Sequence, residues 1–401
     1  MNLRYLRPPI LTKKRETSRR HFVWVSLVCC LPFLLFVACA RFPAGASGSP
    51  ETNDEQIVVA APSETPLPNG PVPVISITES ATLAPLSTLQ ITLAPTPILT
   101  PVPTATTDAY ADLAIEVLAA RSYGGGWLEI VDTLETNESF ARYMIKYPSD
   151  GLDIYGFMNV PHEGSKFPVA ILLHGYVNPN EYDLVPYTRR YADALAEAGF
   201  FVIHPNFRNY PPSDSGPDPY RIGYAIDVLN LIAIIREQSQ DPEGHLRRAD
   251  ADDINLWGHS MGGGVALRVI AVNDSPYIRT ALLYGSMSGD EVKNYTRIRG
   301  WTNDQIGEFE LAAGPESFQA ISPIYHLDRL TAAVAVHHSH VDEVVPVEWS
   351  QELCEELAGL HASGQLPHPP SCYFYDAQPH TFRGQGDTLF IQRTIEFFNS
   401  H

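Results

Sequence analysis

Hydrophobic and polar positions change their period along this chain, and the change separates two kinds of predicted structure. Between residues 127 and 161, apolar residues occur in strand-like runs, and Ser149-Asp150-Gly151 separates two of these runs as a hairpin turn. From Pro168 onward, short apolar runs alternate with longer segments of helical spacing. This order predicts antiparallel strands followed by a mostly parallel sheet with helices on both faces.

The apolar runs, and the Gly and Pro residues between them, give bounds for the predicted elements. Strands are predicted at Trp127–Leu134, Phe140–Tyr147, Leu152–Pro161, Pro168–Leu173, Phe200–Pro205, Arg279–Tyr284, Ala332–His338 and Cys372–Asp376, with a further strand entering at Ile254. Helices are predicted at Tyr110–Arg121, Val185–Ala198, Tyr220–Glu237, Val265–Ala271, Val347–Leu360 and Thr388–Asn399. The long segment between the later strands, residues 285–330, is predicted to be a cap that forms part of a substrate pocket.

An export segment is predicted over residues 1–40. Residues 1–21 carry seven Lys or Arg and one Glu, and the uncharged apolar run Phe22–Ala38 follows them. Such a run behind a basic start is typical of an export signal. Its end, Phe36-Val-Ala-Cys39, resembles the bacterial lipobox. Either a lipidated Cys39 or an uncleaved N-terminal helix would tether the body outside the cytoplasmic membrane.

Residues 41–107 are rich in Pro, Thr, Ser and small aliphatic residues, as in Leu93-Ala-Pro-Thr-Pro-Ile-Leu-Thr-Pro-Val-Pro-Thr104. Proline removes backbone donors and fixes φ, so this stretch predicts an extended, disordered stalk. An arm ordered against the domain is the alternative. The folded domain is expected over residues 108–401.

Charge and cysteine content narrow the expected partners and compartment. The formal net charge is −19, and no basic stripe is present, so nucleic acid is not expected as a partner. Of the five cysteines, Cys354 and Cys372 lie in the body. Because the chain looks exported, a disulfide between them is one expectation, and an ordinary pair of buried thiols is the alternative.

The candidate chemistry centres on Gly258-His259-Ser260-Met261-Gly262, which fits the G-x-S-x-G nucleophile elbow of α/β-hydrolases. Glycines two residues to either side of the serine let the strand before it and the helix after it pack closely. Ser260 is therefore the candidate nucleophile. The alternative is a glycine-rich turn whose serine only caps the next helix.

A serine nucleophile needs a base, an orienting acid and an oxyanion hole. In this fold the partners follow in the order Ser, acid, His, in loops after later strands. Asp342, just past the strand Ala332–His338, is the candidate acid, and His380, after the last strand, is the candidate base. Backbone N–H groups of Met261 and Tyr176 are the expected oxyanion donors.

Several motifs in series resemble the catalytic domain of the prolyl oligopeptidase family over roughly residues 140–400. They are Tyr147–Pro161, His174-Gly175, Asn206-Phe-Arg208, Trp257–Gly263, Ile321-Ser-Pro323, His338–Pro346 and Pro379-His380. In the acid loop, Ser339 replaces the glycine of the family pattern H-G-x-x-D. The resemblance implies an α/β-hydrolase fold and a serine hydrolase with the triad Ser260, Asp342 and His380.

The family resemblance leaves the substrate open. Peptidases of the family usually carry an N-terminal β-propeller that restricts entry to small peptides. A stalk is predicted here in its place, so small peptides and small esters are both expected substrates. Tyr176, His259 and Trp301 are the expected substrate contacts, and no metal or cofactor is expected. A carboxylesterase without peptidase activity is the first alternative. A tethered binding module that has lost turnover is the second.

Overall fold

The structure, a computed structural model, describes residues 108–401, and all its strands belong to one sheet. The strand order is β1-β2-β3-β5-β4-β6-β7-β8-β9. The bounds are Glu129–Thr136 (β1), Phe140–Ser149 (β2), Leu152–Pro161 (β3), Phe167–Leu173 (β4), Phe201–Pro205 (β5), Ala249–His259 (β6), Ile278–Tyr284 (β7), Ala333–Ser339 (β8) and Ser371–Tyr375 (β9). The predicted export segment and stalk lie outside the described residues.

The helices follow the strands in alternation from β4 onward. They are Ile115–Ala119 (α1), Arg189–Glu197 (α2), Ile222–Gln238 (α3), Met261–Val272 (α4), Glu291–Trp301 (α5), Glu308–Leu311 (α6), Pro315–Ile321 (α7), Val347–Ala362 (α8) and Gly384–Ser400 (α9). Short 3-10 helices occupy Ala111–Leu113, Pro219–Arg221 and Pro323–Arg329. Within residues 108–401, no helix has both the length and the apolar character that crossing a membrane requires.

The predicted change from antiparallel to parallel pairing is confirmed. Strands β1, β2 and β3 pair antiparallel, β3 pairs antiparallel with β5, and every pair from β4 to β9 is parallel. The predicted hairpin turn is also present, because Asp150 (φ 52°) and Gly151 (φ 82°) both adopt the positive φ of a tight two-residue turn. The carboxyl ends of β4 to β9 therefore meet at one edge of the sheet.

Both faces of the sheet are covered by helices, as the alternation predicts. On one face, α3 and α4 pack into the larger core, and α3 is buried around almost its whole circumference. On the other face, α2 and α9 pack against a second core that contains Trp257. The predicted fold class, α/β with a mostly parallel central sheet, is confirmed.

The prediction of one continuous helix over residues 110–121 is wrong. The chain is extended at Ala114 (ψ 142°), which separates the 3-10 turn Ala111–Leu113 from α1. Just before the break, the Tyr110 ring packs on Phe309 with 5.0 Å between centroids, and its hydroxyl donates to the Phe309 carbonyl. These tertiary contacts outweigh the weak preference of so short a segment for one helix.

A disulfide joins Cys354 in α8 to Cys372 in β9, with a Cα separation of 6.4 Å. The bond closes a loop with a sequence separation of 18. On the chain-entropy model, closing such a loop stabilises the folded state by about 3 kcal/mol.

We expect reductant to lower the urea midpoint of the wild type. The Cys354→Ser/Cys372→Ser variant should start at that lower midpoint and should not respond to reductant, and an equal response of both proteins would contradict the bond.

Candidate active site

Ser260 occupies a sharp turn between β6 and α4. Its backbone has φ 55° and ψ −116°, a conformation that costs a non-glycine residue free energy and that surrounding structure must enforce. A Cβ at Gly258 would overlap the Gly262 backbone, and one at Gly262 would overlap the Leu173 carbonyl. The two glycines of the motif are therefore required by close backbone packing. The Ser260 N–H donates to the Tyr284 carbonyl at 2.8 Å, which fixes the turn against β7.

Asp342 holds the imidazole of His380 by a hydrogen bond of 2.7 Å between Nδ1 and Oδ2. The same Oδ2 lies 3.1 Å from His338 Nε2, and Asp342 Oδ1 accepts the N–H groups of Val344 and Val345 at 2.8 Å each. Burial by itself would raise the pKa of Asp342, but the hydrogen bonds from His338 and His380 outweigh it and hold that pKa well below its usual range. The carboxylate therefore stays ionised at neutral pH.

Ser260 and His380 both follow strands that end at the carboxyl edge of the sheet, and Gly285 lies at the same edge, directly after β7. A Cβ at Gly285 would lie 3.2 Å from His380 Cε1 and 3.4 Å from Asp342 Oδ2. Gly285 directly follows Tyr284, whose carbonyl accepts the Ser260 N–H. Among the described residues, no hydrogen bond joins the Ser260 hydroxyl to the His380 imidazole. Such bonds are often long or poorly aligned until substrate is bound.

The two expected oxyanion donors lie on either side of the serine. Met261 is the first residue of α4, so its N–H has no acceptor within the helix and sits at the positive end of the helix dipole. Tyr176 follows Gly175, and a Cβ at Gly175 would lie 3.0 Å from Ser260 Cβ. The Tyr176 side chain is 69% exposed, which places its phenol at the solvent side of the site.

The substrate-contact prediction for His259 does not fit its burial. The side chain is 2% exposed and stacks between Tyr284 (4.3 Å between centroids) and His380 (4.7 Å). Both ring nitrogens are hydrogen-bonded, one to Tyr187 and the other to the His380 carbonyl. No polar atom of His259 is left for a substrate.

Trp301 is exposed, but it lines a groove away from the serine. This groove, of about 510 Å³, runs between α5 and α8 and is lined by Val292, Lys293, Thr296, Arg297, Gly300, Trp301 and Trp349. None of Ser260, Asp342 and His380 is among its lining residues. One contact connects this groove to the acid loop, because the side chain of Arg297 donates a hydrogen bond to the Val344 carbonyl. The cap role of residues 285–330 stays a prediction.

Sequence reasoning missed three residues around the base. Glu343 has no role in the sequence-based triad, but its carboxylate accepts the backbone N–H of His380 at 3.1 Å. His338 ends a predicted strand and begins the acid-loop motif, but the sequence gives it no contact; in the structure it reaches the Asp342 carboxylate four residues later. Tyr187, in the segment before α2, was read as part of a helix. Tyr187 belongs to no sequence motif, and its contact with His259 depends on the tertiary fold of the loop before α2.

Gly175 has no room for a side chain, since an added Cβ would overlap the Tyr187 hydroxyl. We expect Gly175→Ala to lower turnover at least tenfold with the fold retained, because it displaces the loop carrying the Tyr176 N–H. Adding Tyr187→Phe removes the overlapping oxygen and should restore part of the rate. Gly359→Ala in α8, where a Cβ meets nothing within 4 Å, is the matched control. A Gly175→Ala variant as active as this control would contradict the prediction.

Within residues 108–401, no group of three or more His, Cys, Asp or Glu side chains is placed to hold a metal ion. At the carboxyl edge, the His380 imidazole is hydrogen-bonded to the Asp342 carboxylate, and with the Ser260 hydroxyl these groups make up the series that a serine triad uses. Such a series can activate a serine without a cofactor.

Comparison with known proteins supports the fold. Residues 168–300 match the model of a family described as having the α/β-hydrolase fold. The uncharacterized protein YqkD of Bacillus subtilis (strain 168) is 24% identical over 260 residues, covering 63% of this chain and 80% of that protein. The uncharacterized peptidase YtmA of the same organism is 22% identical over 261 residues, covering 64% of this chain and 93% of that protein.

Solved structures with the same fold include an esterase and a peptidase. Acetyl xylan esterase 1 from Thermoanaerobacterium sp. JW/SL YS485 is 17% identical, with a TM-score of 0.51 and coverage of 72% of this chain and 92% of that chain. The acylaminoacyl peptidase of Pyrococcus horikoshii is 20% identical, with a TM-score of 0.51 and coverage of 66% and 42%. At such identities the likeness extends to the fold alone.

Proposed function

Because the chain belongs to the α/β-hydrolase superfamily, we propose that it is a serine hydrolase that cleaves small acyl substrates through an acyl-enzyme. One observation carries the proposal. The strained elbow of Ser260 lies at the same sheet edge as a hydrogen-bonded pair of imidazole and carboxylate, His380 and Asp342. This is the constellation that acyl transfer by a serine requires.

In the proposed mechanism, the His380 Nδ1–H donates to Asp342, which leaves Nε2 to accept the hydroxyl proton of Ser260. Ser260 Oγ then attacks the substrate carbonyl. The N–H groups of Tyr176 and Met261 stabilise the negative oxygen of the tetrahedral intermediate. His380 returns the proton to the leaving alcohol or amine, and water, activated by the same imidazole, releases the acid.

The bond cleaved is proposed as an ester or an amide of a small substrate. The motif series of the prolyl oligopeptidase family supports an amide, and so does the match to a protein named as a peptidase. The exposure of Tyr176, which follows Gly175 beside Ser260, supports small and accessible acyl substrates such as esters. The presence of candidates for all three triad positions, Ser260, Asp342 and His380, argues against a non-catalytic binding module.

Rates measured side by side test this proposal. We expect the folded protein to hydrolyse p-nitrophenyl acetate. Aminoacyl and prolyl p-nitroanilides are assayed beside it at equal concentration. The ratio of kcat/KM values between the two substrate types assigns esterase or peptidase. Absence of turnover on every substrate by a folded wild type would overturn the proposal in favour of a binding module.

We also propose that the body is tethered outside the cytoplasmic membrane, on the strength of the basic start, the apolar run Phe22–Ala38 and Cys39. Expression in a bacterium fed a clickable palmitate analogue separates the two anchors. Lipid labelling that disappears in Cys39→Ala indicates lipidation, and membrane association without labelling indicates an uncleaved helix. Recovery of the full chain in the soluble fraction would contradict both.

A further inference from the structure

We infer that Tyr187 and His259 act together as positioning residues that hold the catalytic base His380 and connect it to the oxyanion loop. The inference rests on the proposed function, since it concerns the same site. His259 is 2% exposed and the Tyr187 hydroxyl is hydrogen-bonded to its imidazole, so neither residue is assigned a contact with the reacting atoms. Their effect is on the placement of a group that makes such a contact.

The first observation is how His380 is held. Its backbone N–H donates to Glu343 at 3.1 Å, and its backbone carbonyl lies 3.2 Å from His259 Nε2. Its side chain bonds Asp342. His259 thus holds one of three polar contacts that place the imidazole, and it comes from the nucleophile elbow itself, one residue before Ser260.

The second observation fixes the proton on His259. A carbonyl oxygen is only an acceptor, so Nε2 must carry the hydrogen in the contact with His380. In a neutral imidazole the other nitrogen, Nδ1, is then an acceptor, and the Tyr187 hydroxyl lies 2.7 Å away as its donor. Tyr187 therefore selects the tautomer that bonds the His380 carbonyl.

The third observation explains why this imidazole must stay neutral. Burial, together with the neighbouring His380, lowers the pKa of His259 well below its usual range. The two rings lie 4.7 Å apart. During the reaction His380 gains a positive charge, and a second charge at this distance would oppose it. A neutral, fixed His259 supports the base without that repulsion.

The fourth observation links the base to the oxyanion side. The Tyr187 hydroxyl lies against Gly175, where an added Cβ would overlap it, and Gly175 precedes the expected oxyanion donor Tyr176. One chain of contacts therefore runs from Gly175 through Tyr187 and His259 to His380. The spacing between the oxyanion donors and the base is set by this chain rather than by the backbone alone.

Kinetics of single and double variants test the inference on the full chain. Tyr187→Phe removes only the hydroxyl and should lower kcat about two- to tenfold, the effect of one hydrogen bond, with KM little changed. His259→Leu should lower kcat about 10- to 100-fold, because misplacement of the base is costly. His259→Gln keeps a donor and should recover part of that loss. The double variant Tyr187→Phe/His259→Leu should be no slower than His259→Leu, since both act through one contact.

Two controls separate this inference from general damage and from the proposed function. Tyr277→Phe removes a hydrogen-bonded hydroxyl at the other end of the sheet and should leave kcat unchanged. Imidazole ¹⁵N shifts of the wild type at pH 7 should show His259 protonated at Nε2 and unprotonated at Nδ1, whether or not the protein turns over substrate. Full kcat in both Tyr187→Phe and His259→Leu, additive losses in the double variant, or a proton on Nδ1 would overturn the inference. An inactive wild type with the expected tautomer would overturn the proposed function instead.

Discussion

Replacement of Ser260 by alanine should lower hydrolysis of p-nitrophenyl acetate by roughly 10⁴- to 10⁶-fold. The triad members act as a unit, so loss of the nucleophile leaves only the contribution of binding and of the oxyanion hole. The backbone at Ser260 (φ 55°) is enforced by its neighbours, and alanine can occupy it at similar conformational cost. The fold should therefore persist, which far-ultraviolet circular dichroism and thermal unfolding check.

A matched serine shows that the loss is specific to the site. Ser363 lies at the exposed end of α8 and donates to the Leu360 carbonyl at 2.8 Å. Ser363→Ala should retain the wild-type rate within twofold. A Ser260→Ala variant that keeps more than a few percent of the wild-type rate would place the nucleophile elsewhere.

Asp342→Asn should lower kcat by about 10³- to 10⁴-fold, a loss of the size known for the equivalent change in serine proteases. Asp342 Oδ2 faces two histidine nitrogens, His380 Nδ1 at 2.7 Å and His338 Nε2 at 3.1 Å. An amide NH₂ at that position repels an N–H donor, so the His380 proton moves to Nε2. The imidazole then cannot accept the Ser260 proton.

The neighbouring carboxylate provides the control for this variant. Glu343 accepts only the backbone N–H of His380, and the amide oxygen of Gln can replace that acceptor. Glu343→Gln should therefore stay within about threefold of the wild-type kcat. Equal losses in Asp342→Asn and Glu343→Gln would show that net charge, and not the Asp342–His380 bond, determines the rate.

The lowered pKa of Asp342 also predicts that the free energy of unfolding depends on pH. Burial opposes ionisation, but hydrogen bonds from His338 and His380 prevail, so the pKa of Asp342 is lower in the folded than in the unfolded chain. The resulting stabilisation is present above the unfolded pKa, about 3.9, and is lost as pH falls below it. The wild type should lose more of its free energy of unfolding between pH 5 and pH 3 than Asp342→Asn does. Parallel pH curves from urea unfolding would contradict this.

The fold was predictable because hydrophobic period and chain order carry it. Bounds such as Leu152–Pro161 agree to the residue. The same order brings Ser260, Asp342 and His380 together, since each follows a parallel strand and such strands end at one edge of the sheet. Topology thus predicts that these residues lie at one edge, although Ser260 and Asp342 are 82 positions apart and Asp342 and His380 are 38 positions apart.

Side-chain direction around the site was not predictable in the same way. His259 stands beside the nucleophile in sequence, yet the last residue of β6 points into the aromatic packing between Tyr284 and His380. Trp301 is 48% exposed at the last residue of α5, although the helical period places it on the same side as the buried Asn294, seven residues earlier. Loop residues such as Glu343 have no fixed alternation, so their direction follows from tertiary contacts that the sequence does not display.

Labelling with a fluorophosphonate probe tests the central claim most directly, because the probe reacts only with a serine that a working base activates. Peptide mapping of the labelled wild type should locate the probe on Ser260. The same treatment should give strongly reduced labelling in His380→Ala and none in Ser260→Ala. Folded wild-type protein that takes up no probe, or a label that persists at another residue in Ser260→Ala, would contradict the assignment of Ser260 as the nucleophile.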